Sequence, residues 1–155
     1  MLYSLTTKYC VIALTHLATQ PPDEDVQVRE IARATQVPPA FLARLVPTLV
    51  RAGLVRSQRG VGGGVRLART PTEIALADVV RATEGEGYFH DCLLTVDPCN
   101  GTRGCPRHVV WGPMRDRIVT FLETTTIADL ARKSLPQREK EGRARPARRG
   151  VAPKS

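Results

Sequence analysis

VREIARATQVPPAFLARLVPTLVRAG, residues 28–53, followed by LVRSQRGVGGGVRLAR, residues 54–69, carries the pattern of a helix, a tight turn, a second helix and a glycine-rich hairpin. A short first helix over 28–35 turns Ile31 and Ala32 inward. Gln36-Val37-Pro38 is the turn, and Pro39 suits the opening turn of the next helix, where its missing N–H is not needed. That helix runs to about residue 52, buries Leu42, Leu45 and Leu49 with Val46 beside them, and ends at Gly53. Pro47 lies inside it, and a bend is expected there. Residues 54–57 and 65–68 read as two short strands. Glycines in the joining loop, Arg59-Gly60-Val61-Gly62-Gly63-Gly64, permit a tight, close-lying hairpin. The nucleotide-binding P-loop pattern with its Lys-Ser/Thr is absent.

The rest of the chain frames this unit. Residues 5–20 repeat apolar side chains at helical spacing (Tyr9, Ile12, Ala13, Leu17), with Cys10 as a small core residue and His16 on the surface. Pro21 and Pro22 stop the helix, and 23–25 form an acidic turn. Downstream, 74–83 reads as a helix and 85–104 as an irregular loop. A long helix runs from Pro106 to about Glu123, with Val109, Val110, Met114, Ile118, Phe121 and Leu122 on or near one stripe. Thr126-Ile127-Ala128-Asp129 has the form of a capping box that starts a last short helix through 133. Residues 134–155 carry dense charge and little apolar content, a composition expected to be disordered. The expected fold class is mainly α with a small β-wing: a winged helix-turn-helix plus a long dimerisation helix. The expected division is a DNA-binding domain over 1–84, a cluster-binding loop over 85–105, the dimerisation helix and terminal short helix over 106–133, and a basic tail over 134–155.

A chain of 155 residues with 42% hydrophobic content has room for one modest core. No apolar run reaches the ~20 residues that span a bilayer, and the N-terminal stretch lacks the pattern of a signal peptide. A cytoplasmic protein with no membrane partner is expected. The net charge of +8 is unevenly spread. Residues 31–72 hold seven Arg and no acid, whereas 73–131 hold five Arg against nine acids. From 132 onward nine basic residues face two acids. A basic block that coincides with a helix-turn-helix points to phosphate neutralisation on nucleic acid. The chain has no Ser/His/Asp set, no paired carboxylates in a cleft pattern and no nucleotide motif, so an enzyme is not expected.

A helix-turn-helix brings the N-terminal residues of its second helix to the base edges. The candidates here are Pro39, Ala40, Ala43 and Arg44. Among them only Arg44 is able to make a bidentate contact to guanine. Arg51 and Arg56 are placed for phosphates, and Arg59, at the wing tip, for a minor groove. The second motif is Cys92-x6-Cys99-x5-Cys105 with His108 three residues on: three thiols within fourteen residues and one imidazole. In a reducing compartment clustered thiols bind metal or do redox work. Gaps of six and five are wider than a zinc knuckle, which leaves iron–sulfur cluster and zinc both open. His90 is a weaker candidate ligand.

Several motifs stand together in this chain: Lys8-Tyr9 in the first helix, Arg51-Ala52-Gly53-Leu54-Val55, the Arg59 to Gly64 wing, the Cys92, Cys99, Cys105 triplet, and Thr126-Ile127-Ala128-Asp129-Leu130. On these together the chain resembles the IscR/NsrR-like family of bacterial iron–sulfur winged helix-turn-helix transcriptional regulators. The resemblance implies a homodimer joined through the long helix, double-stranded operator DNA as partner, and a repressor controlled by a labile iron–sulfur cluster. The signal would be iron–sulfur status, redox state or nitric oxide. It further implies Cys92, Cys99 and Cys105 as ligands and His108 as the fourth, with [2Fe–2S] favoured over [4Fe–4S]. The chain departs from IscR-type members in a first cysteine gap one residue wider. It also has Ala43 where they carry an acidic residue, and Lys8 replaces the N-terminal carboxylate ligand of some NsrR-like members. The competing expectations are a winged-helix regulator with structural zinc and a redox or cluster carrier that does not bind DNA.

Overall fold

The computed structural model describes residues 3–60, 62–90 and 108–134. Cys92, Cys99 and Cys105, the start of the long helix at 106–107, and the basic tail from 135 onward lie outside the described residues. The elements are α1 (Leu5–Leu17), α2 (Val28–Thr35), α3 (Pro39–Arg51), β1 (Val55–Ser57), β2 (Val65–Leu67), α4 (Leu76–Glu84), α5 (His108–Thr124) and α6 (Ile127–Ser134). The described residues are mainly helical, with one small antiparallel sheet among them.

Helix α1 is the central element. Its buried face is Cys10, Ala13, Leu14 and Leu17, against which α2, α3, α4 and α6 all pack. Ile31 and Ala32 of α2 and Leu42, Leu45 and Leu49 of α3 complete one side of the core; Leu76, Val79, Val80, Leu122 and Ile127 complete the other. Burial pushes the Cys10 thiol up to about 12, which suits an inert core residue.

Among the described residues, four helical turns start with the same device. The residue three positions into each turn is a carboxylate that accepts the N–H of the capping residue: Glu30 from Gln27 (3.3 Å), Glu73 from Thr70 (3.0 Å), Asp78 from Ala75 (3.2 Å) and Asp129 from Thr126 (2.9 Å). Each satisfies a donor that the helix itself leaves unpaired. At Thr126 the box is reciprocal, because the Asp129 N–H returns to the Thr126 hydroxyl (3.2 Å). The expected capping box is therefore present.

Helix α2 ends on Gln36 in the left-handed region (φ 60°), and Val37 in the turn is buried. Helix α3 continues through Pro47 to Arg51. It closes with the Leu54 N–H on the Leu49 carbonyl (3.0 Å) and the Gly53 N–H on the Val50 carbonyl (3.0 Å). That bond pair needs a left-handed residue, supplied by Gly53 at φ 65°.

The wing pairs Val55 with Leu67, Arg56 with Arg66 and Ser57 with Val65. A third segment joins it, since Val26 and Val65 exchange both backbone hydrogen bonds (3.0 and 2.8 Å). Three details differ from the sequence expectation. Helix α1 ends at Leu17, three residues before the expected stop at Gln20. Helix α4 begins at Leu76, because Ile74 and Ala75 are extended and pair with Thr125 to Ile127 while Pro71–Glu73 forms a separate 3-10 turn. The loop after α4 opens with a 3-10 turn, Glu86–Phe89, that buries Phe89.

A Cβ on Gly64 would stand 2.6 Å from the Val26 carbonyl oxygen, inside the backbone pair that ties the wing to the core. Gly64→Ala is expected to destabilise the fold by about 1–3 kcal/mol, in the range of overpacked sites. Urea unfolding checks this: the midpoint should fall, and an unchanged midpoint would show that the wing can slide away from Val26 without loss.

Candidate DNA interface and sensor site

All seven residues expected to meet DNA are exposed: Pro39, Ala40, Ala43 and Arg44 on the first turns of α3, Arg51 at its end, Arg56 on β1 and Arg59 before the wing turn. They differ in what their side chains already do. Arg51 donates to the Thr48 hydroxyl (3.2 Å). Arg66 meets the Asp25 carboxylate at 3.8 Å and the Asp23 carbonyl at 3.3 Å. Arg69 reaches Asp78 at 3.4 Å. Arg56 lies directly across the sheet from Arg66, whose own charge is met by Asp25.

The Arg44 guanidinium lies over the Phe41 ring, 5.3 Å from its centroid, and Phe41 meets Tyr9 of α1 nearly at right angles with centroids 5.3 Å apart. Phe41 is not among the sequence candidates; the available signal was an aromatic side chain three residues before an exposed arginine on one helix face. An open cavity of about 620 Å³ beside the wing is lined by Arg56, Arg66 and Arg69 but also by Asp23, Glu24 and Glu73. Its charges balance, so it gives no preference for an anion.

The cysteine segment is flanked on both sides by described residues. The chain leaves the described fold at His90, which is exposed, and returns at His108, the first described residue of α5. Both flanks rest on α4, through the 3-10 turn and through α5. His90 and Phe89 border a cavity of about 340 Å³ with Arg115, Asp116 and Val119 of α5. The His108 ring lies along its own helix against Gly112, where a Cβ would come within 3.1 Å of the imidazole. Gly112 thus makes room for that ring. Three thiols and one imidazole form a soft-to-borderline donor set that fits an iron–sulfur cluster or zinc. Of that set His108 alone is among the described residues, and those hold no cluster of three or more His, Cys, Asp and Glu side chains able to take a metal.

A hydroxyl–carboxylate group ties the cysteine flank to α1. Glu84, the last residue of α4, accepts from the Ser4 amide (3.1 Å) and from the Ser4 and Thr7 hydroxyls, while Thr7 and Thr83 hydroxyls lie 2.6 Å apart. Burial alone would raise the Glu84 pKa. The hydroxyl and amide donors outweigh it and hold the carboxyl below the usual glutamate range.

Residues 3–133 match the Rrf2 family, described as an iron-dependent transcriptional regulator. The chain belongs to that family and is a transcriptional regulator. It is 35% identical over 133 residues to a chain of Aquifex aeolicus (strain VF5) described as an HTH-type transcriptional regulator, covering 84% of this chain and 91% of that one. It is 33% identical over 130 residues to the HTH-type transcriptional regulator IscR of Photobacterium profundum, covering 83% of this chain and 75% of IscR. Among solved structures it is similar to CymR, the global cysteine regulator of B. subtilis. The TM-score is 0.70 at 28% identity, with 84% of this chain and 96% of CymR covered. Among the described residues no helix is long and apolar enough to cross a membrane.

Because the folded-state pKa of Glu84 is depressed, its contribution to stability is complete above the unfolded value, about 4.3. It is lost as pH falls through the lower folded value. Glu84→Gln is therefore expected to unfold more easily than wild type at neutral pH and to lose part of the acid sensitivity below about pH 4.3. Thermal unfolding of both proteins from neutral to acidic pH measures this; parallel curves would remove Glu84 from the account.

Proposed function

We propose that this Rrf2-family regulator is an operator-binding repressor controlled by a [2Fe–2S] cluster held by Cys92, Cys99, Cys105 and His108. The observation that carries the reading is the donor set itself. Three closely spaced thiols lead into a helix whose first described residue is a histidine with space cleared for its ring by Gly112. The 33% identity to IscR supports it. When bound, such a cluster supplies a centre whose occupancy and oxidation state depend on iron, oxidants and nitric oxide. The chain's own residues then do the DNA work. Arg44, with Pro39, Ala40 and Ala43, meets base edges in the major groove; Arg51 and Arg56 neutralise phosphates; Arg59 enters the minor groove.

The division proposed above, with the reading domain over 1–84, the cluster loop over 85–105, the pairing helix over 106–133 and the basic tail over 134–155, assigns pairing to α5. Val109, Val110, Met114 and Phe121 of that helix are each more than half exposed in the single chain. Exposed apolar residues repeated along one helix are the mark of an interface. A two-fold pair would carry two recognition helices to two half-sites.

Protein made and kept without oxygen is expected to show visible charge-transfer absorbance with iron and sulfide in equal amounts. Alanine at any one of Cys92, Cys99 or Cys105 should remove it, and His108→Ala should alter the spectrum. Stoichiometric zinc without iron, or no metal at all, would sink the cluster reading and leave the family assignment untouched. The pairing is checked separately: Val110→Asp should convert a dimer to a monomer in sedimentation. On DNA, Arg56→Ala should weaken binding to every duplex and reduce the salt slope by about one.

A further inference from the structure

We propose that Phe41, held in place by Tyr9, is a specificity-determining residue: its ring fixes the plane of the Arg44 guanidinium before DNA arrives. The proposal rests on the reading of Arg44 as the base-contacting arginine, and adds what sets its geometry. Phe41 and Arg44 are three apart on α3, so their side chains share a face. Helical side chains lean toward the helix N-terminus, which carries the Arg44 head back over Phe41 and the turn that enters the groove. The guanidinium carbon lies 5.3 Å from the ring centroid, within the range of a cation–π contact. Phe41 is half-buried and braced by Tyr9, with the two ring planes 81° apart. The bracing comes from α1, which is anchored in the core.

A comparison inside the chain gives this stack its meaning. Arg81 also lies over an aromatic ring, Phe89, at 5.1 Å, but its donors are taken by Asp78 at 3.4 Å and Glu86 at 2.9 Å. Arg44 has the ring and, among the described residues, no carboxylate or carbonyl partner. Stacking orients the fork through its face and leaves its edge donors for a ligand. A long, rotamer-rich side chain thereby loses freedom before binding, which raises the discrimination that one bidentate contact delivers.

The probe is a duplex selected from a randomised library by the wild-type chain, together with variants of it changed at single positions. Arg44→Ala should lower discrimination at one position by about five- to hundredfold, the range for a bidentate arginine–guanine contact. Phe41→Leu, which keeps apolar volume, should lower discrimination at that same position by about two- to fivefold. It should do nothing further in the Arg44→Ala background, and Phe41→Tyr should restore wild-type behaviour. Tyr9→Leu should give a smaller loss that vanishes in the Phe41→Leu background. Equal losses from Phe41→Leu with and without Arg44 would overturn the proposal, since the ring would then only pack the helix. Discrimination lost with Arg44→Ala but intact with Phe41→Leu overturns this proposal alone. Discrimination unchanged by Arg44→Ala overturns the base-contact reading and this proposal with it.

Discussion

Helix α1 is packed from several sides at once, and the remaining geometry follows from how it tolerates that. Its inward face carries Cys10 and Ala13 between Leu14 and Leu17, and these small side chains let neighbouring helices approach. On one side stand α2, α3 and the wing; on the other, α4 and α6. Interiors packed to crystal-like density do not deform gradually. A shift of α1 would therefore be felt at both ends of the molecule. At its N-terminus it is fastened to Glu84, one residue before the segment that leads to the cysteines. In its middle, Tyr9 touches the aromatic ring beneath Arg44. The proposed reading surface and the flank of the cysteine segment thus rest on one rigid body.

Charge is allotted by the fold more sharply than by the sequence. The arginine block over 31–72 reads as one basic patch. In three dimensions Arg66 and Arg69 turn to carboxylates at Asp25 and Asp78, and so serve mainly to seat the wing and α4. Near-surface pairs at 3.4 to 3.8 Å add little stability. Their effect is on field: they remove two cations from the patch and leave Arg44, Arg56 and Arg59 among its exposed positive groups on α3, β1 and the wing. What remains is a smaller set of exposed charges, the one proposed above to meet a phosphate backbone.

Local rules made much of this legible. The helix-turn-helix follows from Ile31, Leu42, Leu45 and Leu49 at helical spacing; the wing from its glycines; the α6 start from Thr126 and Asp129; the inert role of Cys10 from its apolar neighbours. What the sequence did not disclose depends on partners distant along the chain. Helix α4 starts two residues later than its apolar pattern suggests, because Ile74 and Ala75 are drawn into pairing with Thr125 to Ile127. The Ser4, Thr7 and Glu84 group joins residues about eighty apart, and nothing local marks it. Phe89 lies in what reads as a loop, yet it is buried. At the candidate DNA interface, residue types and exposure could be read in advance, whereas the state of each arginine, stacked, paired or open, could not. Of the sensor site, three of four proposed ligands lie outside the described residues, so its legibility rests on His108 and on motif alone.

Helix α5 shows why pairing and sensing would share one element. It has seventeen residues, of which Gly112 and Leu122 are buried. An isolated helix of that length is marginal in water; Leu122, with Ile118 and Val119 partly buried against the core, holds it to its own subunit on one side only. Pro113 within it removes one more backbone hydrogen bond. Its outer face is left for burial outside its own subunit's core. A second copy laid against Val109, Val110, Met114 and Phe121 would provide apolar burial. A metal group on His108 would fix the N-terminal turn. Each would raise the order of the helix that the other requires, so ligand occupancy and pairing would reinforce one another through a single marginal element. That coupling needs no path through the core: it follows from placing the proposed ligand of α5 directly beside the start of its exposed apolar stripe.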